Sequence, residues 1–291
     1  MVNHEIVVIS YFGELELCKL QLKSFEAHVE STTINIIVNE PDVQRFIDGV
    51  RPVVDRMVNH KVVFWPATDI ATFPPIEQTR YLPRNDPFMS WDSAVECIDT
   101  LHAGYGWVLQ QALKLLFALK HNKDYVVCDT KDIFMYPCSA YELDTKQYDD
   151  FGTGWEKKSL WTHPFQKDYY EDVAKRFGGD VDRDTINDYL TPQVIRHEAV
   201  YKIIEHFGSK EKFIEWFMSY KFMSEFIIHD YCVKILGLPE KRRQPSNFIT
   251  YDPKVPSDHK VIKFHRSIYE RPGTRHHWDN IENYINGCLK W

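Results

Sequence analysis

The chain has 291 residues, 44% hydrophobic and 14% aromatic, enough to bury a full core as one large domain. Thirty-five basic against 42 acidic residues give a formal net charge of −7, which excludes a general nucleic-acid binder that draws its affinity from neutralising phosphates. No stretch approaches the roughly eighteen consecutive apolar residues of a membrane span, and His4 to Ser10 lacks the basic flank of an export signal, so the expectation is a soluble, cytoplasmic protein without an integral membrane segment.

The first third alternates two periodicities. Glu5 to Ser10 (EIVVIS) predicts a buried strand, Glu14 to His28 a helix through Leu15, Leu17, Leu20, Leu22 and Phe25, and Ile34 to Val38 a second strand. Pro41 to Met57 follows as a helical segment broken near Pro52, then Lys61 to Trp65 as a third strand. Strands alternating with helices imply a mostly parallel sheet with right-handed crossovers. Ligands collect at the carboxyl ends of such strands, which places Ser10, Tyr11, Phe12, Asn39, Glu40 and Asp129 on one rim. There is no GxGxxG and no GxxxxGK[ST], which weighs against dinucleotide dehydrogenases and P-loop enzymes. Tyr11 and Phe12 are candidates for an aromatic surface under a base, or plain core.

Ala71 to Asp99, with Pro74, Pro75, Pro83 and Pro87, predicts an irregular excursion off the sheet. Gly106 to Lys120 (GWVLQQALKLLFALK) is a helix apolar on most faces, yet Gln110 and Gln111 lie four and three residues before Lys114 and form a polar stripe. A helix this apolar must be buried, so the stripe faces either a site or backbone groups in need of partners. Tyr125 to Pro137 (YVVCDTKDIFMYP) is an apolar strand ending in Asp129, with Asp132 close behind. Acids delivered into a polar turn can hold a hard divalent cation and, through it, a diphosphate, although an Asp after a strand can equally be a turn former. Gln147 to Asp188, with Trp155, Trp161, His163, Phe165, Tyr169 and Tyr170, suits either a sugar platform or a satellite core. Thr191 to Phe207 and Glu211 to Leu236 have helical patterns, Lys241 to Arg243 reads as a solvated helix end, and Val261 to Phe264 predicts a strand before a polar tail. The cysteines, Cys18, Cys97, Cys128, Cys138, Cys232 and Cys288, include no CxxC pair and read as reduced core residues.

The segment G-W-x-x-Q-Q-x-x-K-L from Gly106, followed by D-x-x-D-x-F-x-x-P from Asp129, resembles a family of bacterial and phage proteins with a GT-A-type glycosyltransferase fold. The resemblance extends more loosely to Thr191-Pro192-Gln193 and to Ser224-Glu225-Phe226 with Tyr231. It implies one GT-A-like domain over residues 1–291, with a nucleotide-sugar-binding part at 1–137 and an acceptor-binding and C-terminal elaboration at 138–291. It further implies a glycosyltransferase using a nucleotide sugar, uridine-linked, with a carbohydrate or glycoconjugate acceptor and a divalent metal, Mn or Mg.

One position departs from the family's Asp-x-Asp pattern, because its second acid is here Lys131 and the extra acid comes one residue later, at Asp132. Asp129 and Asp132 share a face only if the backbone turns between them. Two arrangements follow. Asp129, Asp132 and the late His265 are the candidate metal ligands; alternatively Lys131 neutralises the diphosphate directly. Ser10, Tyr11, Phe12, Asn39, Gln110, Gln111, Lys114, Lys131 and Arg266 are the candidate donor-binding residues. Asp129 and Glu225 are the candidate catalytic residues, Glu225 as a base or a sugar-hydroxyl anchor because a carboxylate beside Met223 and Phe226 is partly desolvated and so favours proton uptake. His276 and His277 have a weaker claim. The competing readings are a nucleotidyltransferase, which needs two metals held by several carboxylates, and a non-catalytic nucleotide-sugar or carbohydrate-binding module.

Overall fold

The computed structural model describes residues 4–39, 42–73, 101–143, 145–146, 164–178, 191–219, 224–238, 242–243, 249–250, 255, 260–263 and 275–289. Strands β1 (Glu5–Ser10), β2 (Thr33–Val38), β3 (Lys61–Pro66) and β4 (Tyr125–Asp129) form a parallel array in the order β3-β2-β1-β4, and β7 (Gln193–Ile195) is added antiparallel at the β4 edge. β-Branched residues dominate β1 and β2, which are covered on both faces. Val7 and Ile9 of β1 enter one core and Ile6 and Val8 the other, the twofold alternation of a pleated strand.

On the first face lie α3 (Leu101–His121), α6 (His197–Phe207), α7 (Lys210–Phe217) and α8 (Glu225–Ile235), with Val173 of α5 (Pro164–Phe177) in the same core. Leu113, Leu115, Leu116 and Phe117 of α3 are fully buried, each contributing about 1.5–3 kcal/mol of transfer free energy. On the second face are α1 (Leu15–His28) and α2 (Val43–Val54). The Asp42 side chain caps α2 by accepting the Arg45 N–H at 2.9 Å.

α1 serves two cores. Cys18, Leu22 and Phe25 face the main sheet, whereas Leu17 and Leu20 pack on β5 (Asp132–Phe134), β10 (Val261–Lys263) and α9 (Arg275–Cys288) through Ile133, Ile262, Trp278, Ile281 and Ile285. β5 and β10 pair antiparallel and β9 (Ile249–Thr250) joins β10 in parallel, making a small second sheet. A short helix α4 (Ala140–Leu143) and the paired two-residue strands β6 (Thr145–Lys146) and β8 (Arg242–Arg243) complete the described elements.

Several sequence expectations are corrected. α2 runs through Pro52 and stops two residues later instead of breaking there. Thr191 to Phe207 is not one helix: β-branched Val194 and Ile195, following Pro192, extend along the open edge of β4 before α6 begins at His197. Glu211 to Leu236 divides into α7 and α8. Arg242 and Arg243 lie in a strand, not at a solvated helix end. The polar tail contains α9, whose Trp278, Ile281 and Ile285 recur at helical spacing and bury one face. Residues 74–99, and the aromatic residues Trp155, Trp161 and His163, lie outside the described residues.

Candidate functional site

Ser10, Val38, Pro66 and Asp129 end their strands at one rim, with Ile9 in register with Asp129 and Ser10 with Val38. At this rim the chain turns through Thr130 and Lys131, so Asp129 and Asp132, three residues apart, come onto one side: an Asp132 carboxylate oxygen (Oδ2) accepts the Asp129 backbone N–H at 2.8 Å. Gln21 of α1 fixes the turn from below, its amide donating to the carbonyl oxygens of Asp129 and, at 3.1 Å, of Asp132. Thr130 donates to Glu14 at 2.6 Å.

Three ammonium groups surround Asp129 among the described residues. Lys114 of α3 stands 2.9 Å from Oδ1, Lys263 of β10 3.1 Å from Oδ2, and Lys131 3.8 Å from Oδ2. Burial pushes the Asp129 carboxyl up, but the charges of Lys114, then Lys263, then Lys131 outweigh it and hold the group well below the usual carboxylate range.

Lys114 also donates to Glu225 at 2.9 Å and Gln111 at 3.0 Å, so its three N–H bonds meet three acceptors in a nearly dry site. Burial lowers its proton affinity, yet Asp129 and Glu225 together raise it above the ordinary lysine value. Glu225, at the start of α8, moves the other way: burial raises its carboxyl above the ordinary value and outweighs the lowering by Lys114. The sequence expectation of a desolvated Glu225 thus describes its surroundings, although the residue reaches Lys114 rather than solvent.

Lys263 lies directly across the strand pair from Asp132. Its ammonium donates to Asp132 Oδ1 at 2.8 Å, to the Thr191 hydroxyl oxygen at 2.7 Å and to the Thr191 carbonyl at 3.3 Å. Burial raises the Asp132 carboxyl above its ordinary value, opposed first by Lys263. Asp132 is completely buried and Lys263 nearly so, whereas Asp129 retains 22% side-chain exposure and Lys131 38%.

A cleft of about 40 Å³ opens beside these groups, lined by Ile9, Glu14, Gln110, Gln111, Asp129, Thr130 and Lys131. Of the expected donor residues, the structure gathers Gln110, Gln111 and Lys131 there with Asp129, and places Lys114 immediately behind. Ser10 is buried beside Cys18, and Arg45 covers the Phe12 ring at 3.6 Å. Ser10, Tyr11, Phe12 and Asn39 are at the same rim but do not line the cleft. His265 and Arg266 lie outside the described residues. His276 and His277 sit on α9, far along the chain from this turn, with their rings 3.9 Å apart.

The carboxylates do not fit a divalent cation in this arrangement. Asp132 spends one oxygen on the Asp129 N–H and the other on Lys263, while both Asp129 oxygens meet ammonium groups. Among the described residues no group of three or more His, Cys, Asp or Glu side chains is placed to share a metal. Lys263 and Gln21 were not singled out in the sequence. The available signal for Lys263 was a cation in an otherwise apolar strand; Gln21, on a helix with several other polar residues, carried none.

No protein-family model and no curated protein matches the chain. Among solved structures, the apo form of the bifunctional glycosyltransferase WbbM matches with a TM-score of 0.51 at 10% identity, over 99% of this chain and 52% of its own. The galactosyltransferase LgtC in complex with donor and acceptor sugar analogues matches at 0.49 and 10% identity, over 98% and 100% of the two chains. Mouse xyloside xylosyltransferase 1 matches at 0.47 and 9%, over 91% and 99%. The likeness to WbbM is one of fold, and this chain spans about half of WbbM's length. The mostly parallel, helix-flanked sheet is of the GT-A glycosyltransferase type. No helix among the described residues is long and apolar enough to cross a membrane.

Proposed function

We propose that this chain is a glycosyltransferase that moves a sugar from a nucleotide-sugar donor, uridine-linked, to a carbohydrate or glycoconjugate acceptor. The observation that carries the reading is the position of Asp129: a partly exposed carboxylate at the carboxyl rim of a GT-A-type sheet, held by lysines and opening on a polar cleft with Gln110, Gln111 and Lys131.

In this reading the base and ribose approach the rim at Tyr11, Phe12 and Asn39, with Arg266 as a further donor contact, and the diphosphate turns toward Lys131. Breaking the bond to the anomeric carbon leaves negative charge on the departing nucleoside diphosphate, and a preplaced cation stabilises that charge without reorganising as it develops. Of the three lysines at Asp129, Lys131 is the one exposed enough to touch it. Asp129 orients Lys131 and offers its remaining exposed edge to a ribose or sugar hydroxyl. Gln110 and Gln111 present amides that can both donate and accept, as sugar hydroxyls require. Glu225 acts through Lys114, fixing the ammonium that in turn fixes Asp129, and so is a positioning residue.

Incubation with a panel of nucleotide sugars tests the proposal by the product released. Slow release of nucleoside diphosphate from one donor supports a transferase. Pyrophosphate release would identify a nucleotidyltransferase instead, and saturable binding without turnover would leave a binding module.

A further inference from the structure

Lys263 brings a fixed positive charge to the place between Asp129 and Asp132. It is 2.8 Å from one carboxylate and 3.1 Å from the other, is nearly buried, and is tied to Thr191 by its remaining bonds. Its position comes from β10, where it faces Asp132 in register, so it is built into the sheet and not borrowed from a mobile surface side chain. Lys114 closes the other Asp129 oxygen, also from within the core. Each buried ammonium is saturated by acceptors, and the outer cation, Lys131, alone among these three lines the cleft.

We infer that the Lys263 ammonium stands permanently in the position from which a divalent cation would bridge the two carboxylates, so the protein handles a nucleoside diphosphate without a metal. A dication entering here must either displace a buried lysine, leaving that charge unpaired, or sit against it in like-charge repulsion. The division of labour follows: Lys263 and Lys114 cancel the carboxylates, which would otherwise repel a diphosphate, and Lys131 meets the phosphate oxygens. The diphosphate half of this inference rests on the donor reading above; the exclusion of metal does not.

The test uses manganese and uridine diphosphate as separate probes. By electron paramagnetic resonance, the free manganese signal should be unchanged by the wild-type protein up to millimolar metal. Lys263→Met, matched in length and uncharged, should gain saturable manganese binding, and adding Asp132→Asn should remove it. Saturable manganese binding by the wild type that Asp129→Asn abolishes would overturn the inference, as would a folded Lys263→Met variant that binds none. Should Lys263→Met fail to fold, the wild-type titration decides alone.

Calorimetry with uridine diphosphate reads the second half. Affinity should be the same in manganese and in excess chelator, and Lys131→Ala should weaken it about 10- to 150-fold, as expected for a lost hydrogen bond to a charged group. A loss of about tenfold or more on chelation would overturn metal independence. Absence of uridine diphosphate binding under both conditions would defeat the donor reading, leaving the manganese titrations to judge Lys263.

Discussion

The two ends of β4 carry carboxylates of similar exposure and opposite design. Asp124, just before the strand, retains 26% side-chain exposure and Asp129, its last residue, 22%. Both are held below the ordinary carboxylate range against the upward push of burial, but by different means. At Asp124 the lowering comes first from hydrogen bonds, the His197 ring at 2.8 Å and the His197 N–H at 2.9 Å, and then from Arg196 at 3.0 Å. All these donors come from the β7–α6 junction, so Asp124 clips that junction to the strand and caps the helix. At Asp129 the lowering comes from the charges of lysines on α3, on β10 and in the turn itself. Burial alone therefore does not mark a site. A carboxylate satisfied locally by directional hydrogen bonds holds one joint together, whereas one satisfied by cations drawn from distant elements is where the fold has concentrated charge.

The volumes run the other way. A larger hollow of about 480 Å³ lies at the amino end, lined by Asn122, His197, Glu198, Tyr201, Lys202, Glu205 and Leu236. Its charges are exposed, as in the Lys202–Glu205 pair at 2.9 Å on adjacent turns of α6, and such pairs contribute little. The small cleft at Asp129 is the better candidate because its carboxylate is held from behind by the buried ammonium groups of Lys114 and Lys263.

Substitution can break this contrast. The largest expected effect on stability is that of Lys114→Met, which strands Glu225 in the core and should cost about 3–5 kcal/mol by urea denaturation. Adding Glu225→Gln should recover part of that loss; if the double variant is no more stable than the single, the pair is not the unit described here. Asp129→Asn should lower donor turnover by about 100-fold or more while the melting temperature falls by only a few degrees. Asp124→Asn should cost about 1–2 kcal/mol of stability while leaving turnover unchanged. Equal losses of turnover in these two variants would dissolve the distinction between the two ends of the strand.

The smallest effect is in the pH dependence. Asp124 and Asp129, lowered in the folded protein, contribute stability that is present above the ordinary aspartate value of 3.8 and is lost as pH falls through their folded values. Glu225, raised in the folded protein, does the opposite: stability is lost as pH rises from its ordinary value of 4.5 through its folded one. Denaturation at a series of pH values should therefore show Glu225→Gln gaining on the wild type as pH rises through that window. A constant difference between the two would mean that Glu225 is not desolvated.

Much of the scaffold was legible in the sequence, because runs such as EIVVIS and KVVFW are short and rich in β-branched and aromatic residues, which favours strand over helix. The three-residue β7 was not, since its QVI abuts a helical pattern and its pairing depends on an open edge that only the assembled sheet creates. α9 was hidden by the polar residues around its buried ones, His276-His277 before Trp278 and Asp279-Asn280 between Trp278 and Ile281. Within the candidate site, Lys114, Gln111 and Asp129 were readable because short-range spacing on a helix or strand sets which side chains are neighbours. Lys263 was not, for its partner Asp132 lies 131 residues away, and a register between distant strands leaves no trace in local pattern. Gln21, 108 residues from the turn it holds, is hidden for the same reason.

The cross-strand placement of Lys263 also has a consequence for the order in which this protein can be made. At ordinary synthesis rates, the 131 residues between Asp132 and Lys263 take on the order of ten seconds to emerge. Throughout that interval the residues of β1, β2, β3 and β4 have been made, and of the three lysines around Asp129 among the described residues Lys114 and Lys131 are present and Lys263 is not. β5 has no partner strand until β10 is made, and Leu17 and Leu20 of α1 remain uncovered until α9 arrives. A molecule arrested before β10 would therefore lack the ammonium that pairs with Asp132, the strand that pairs with β5 and the helix that covers Leu17 and Leu20.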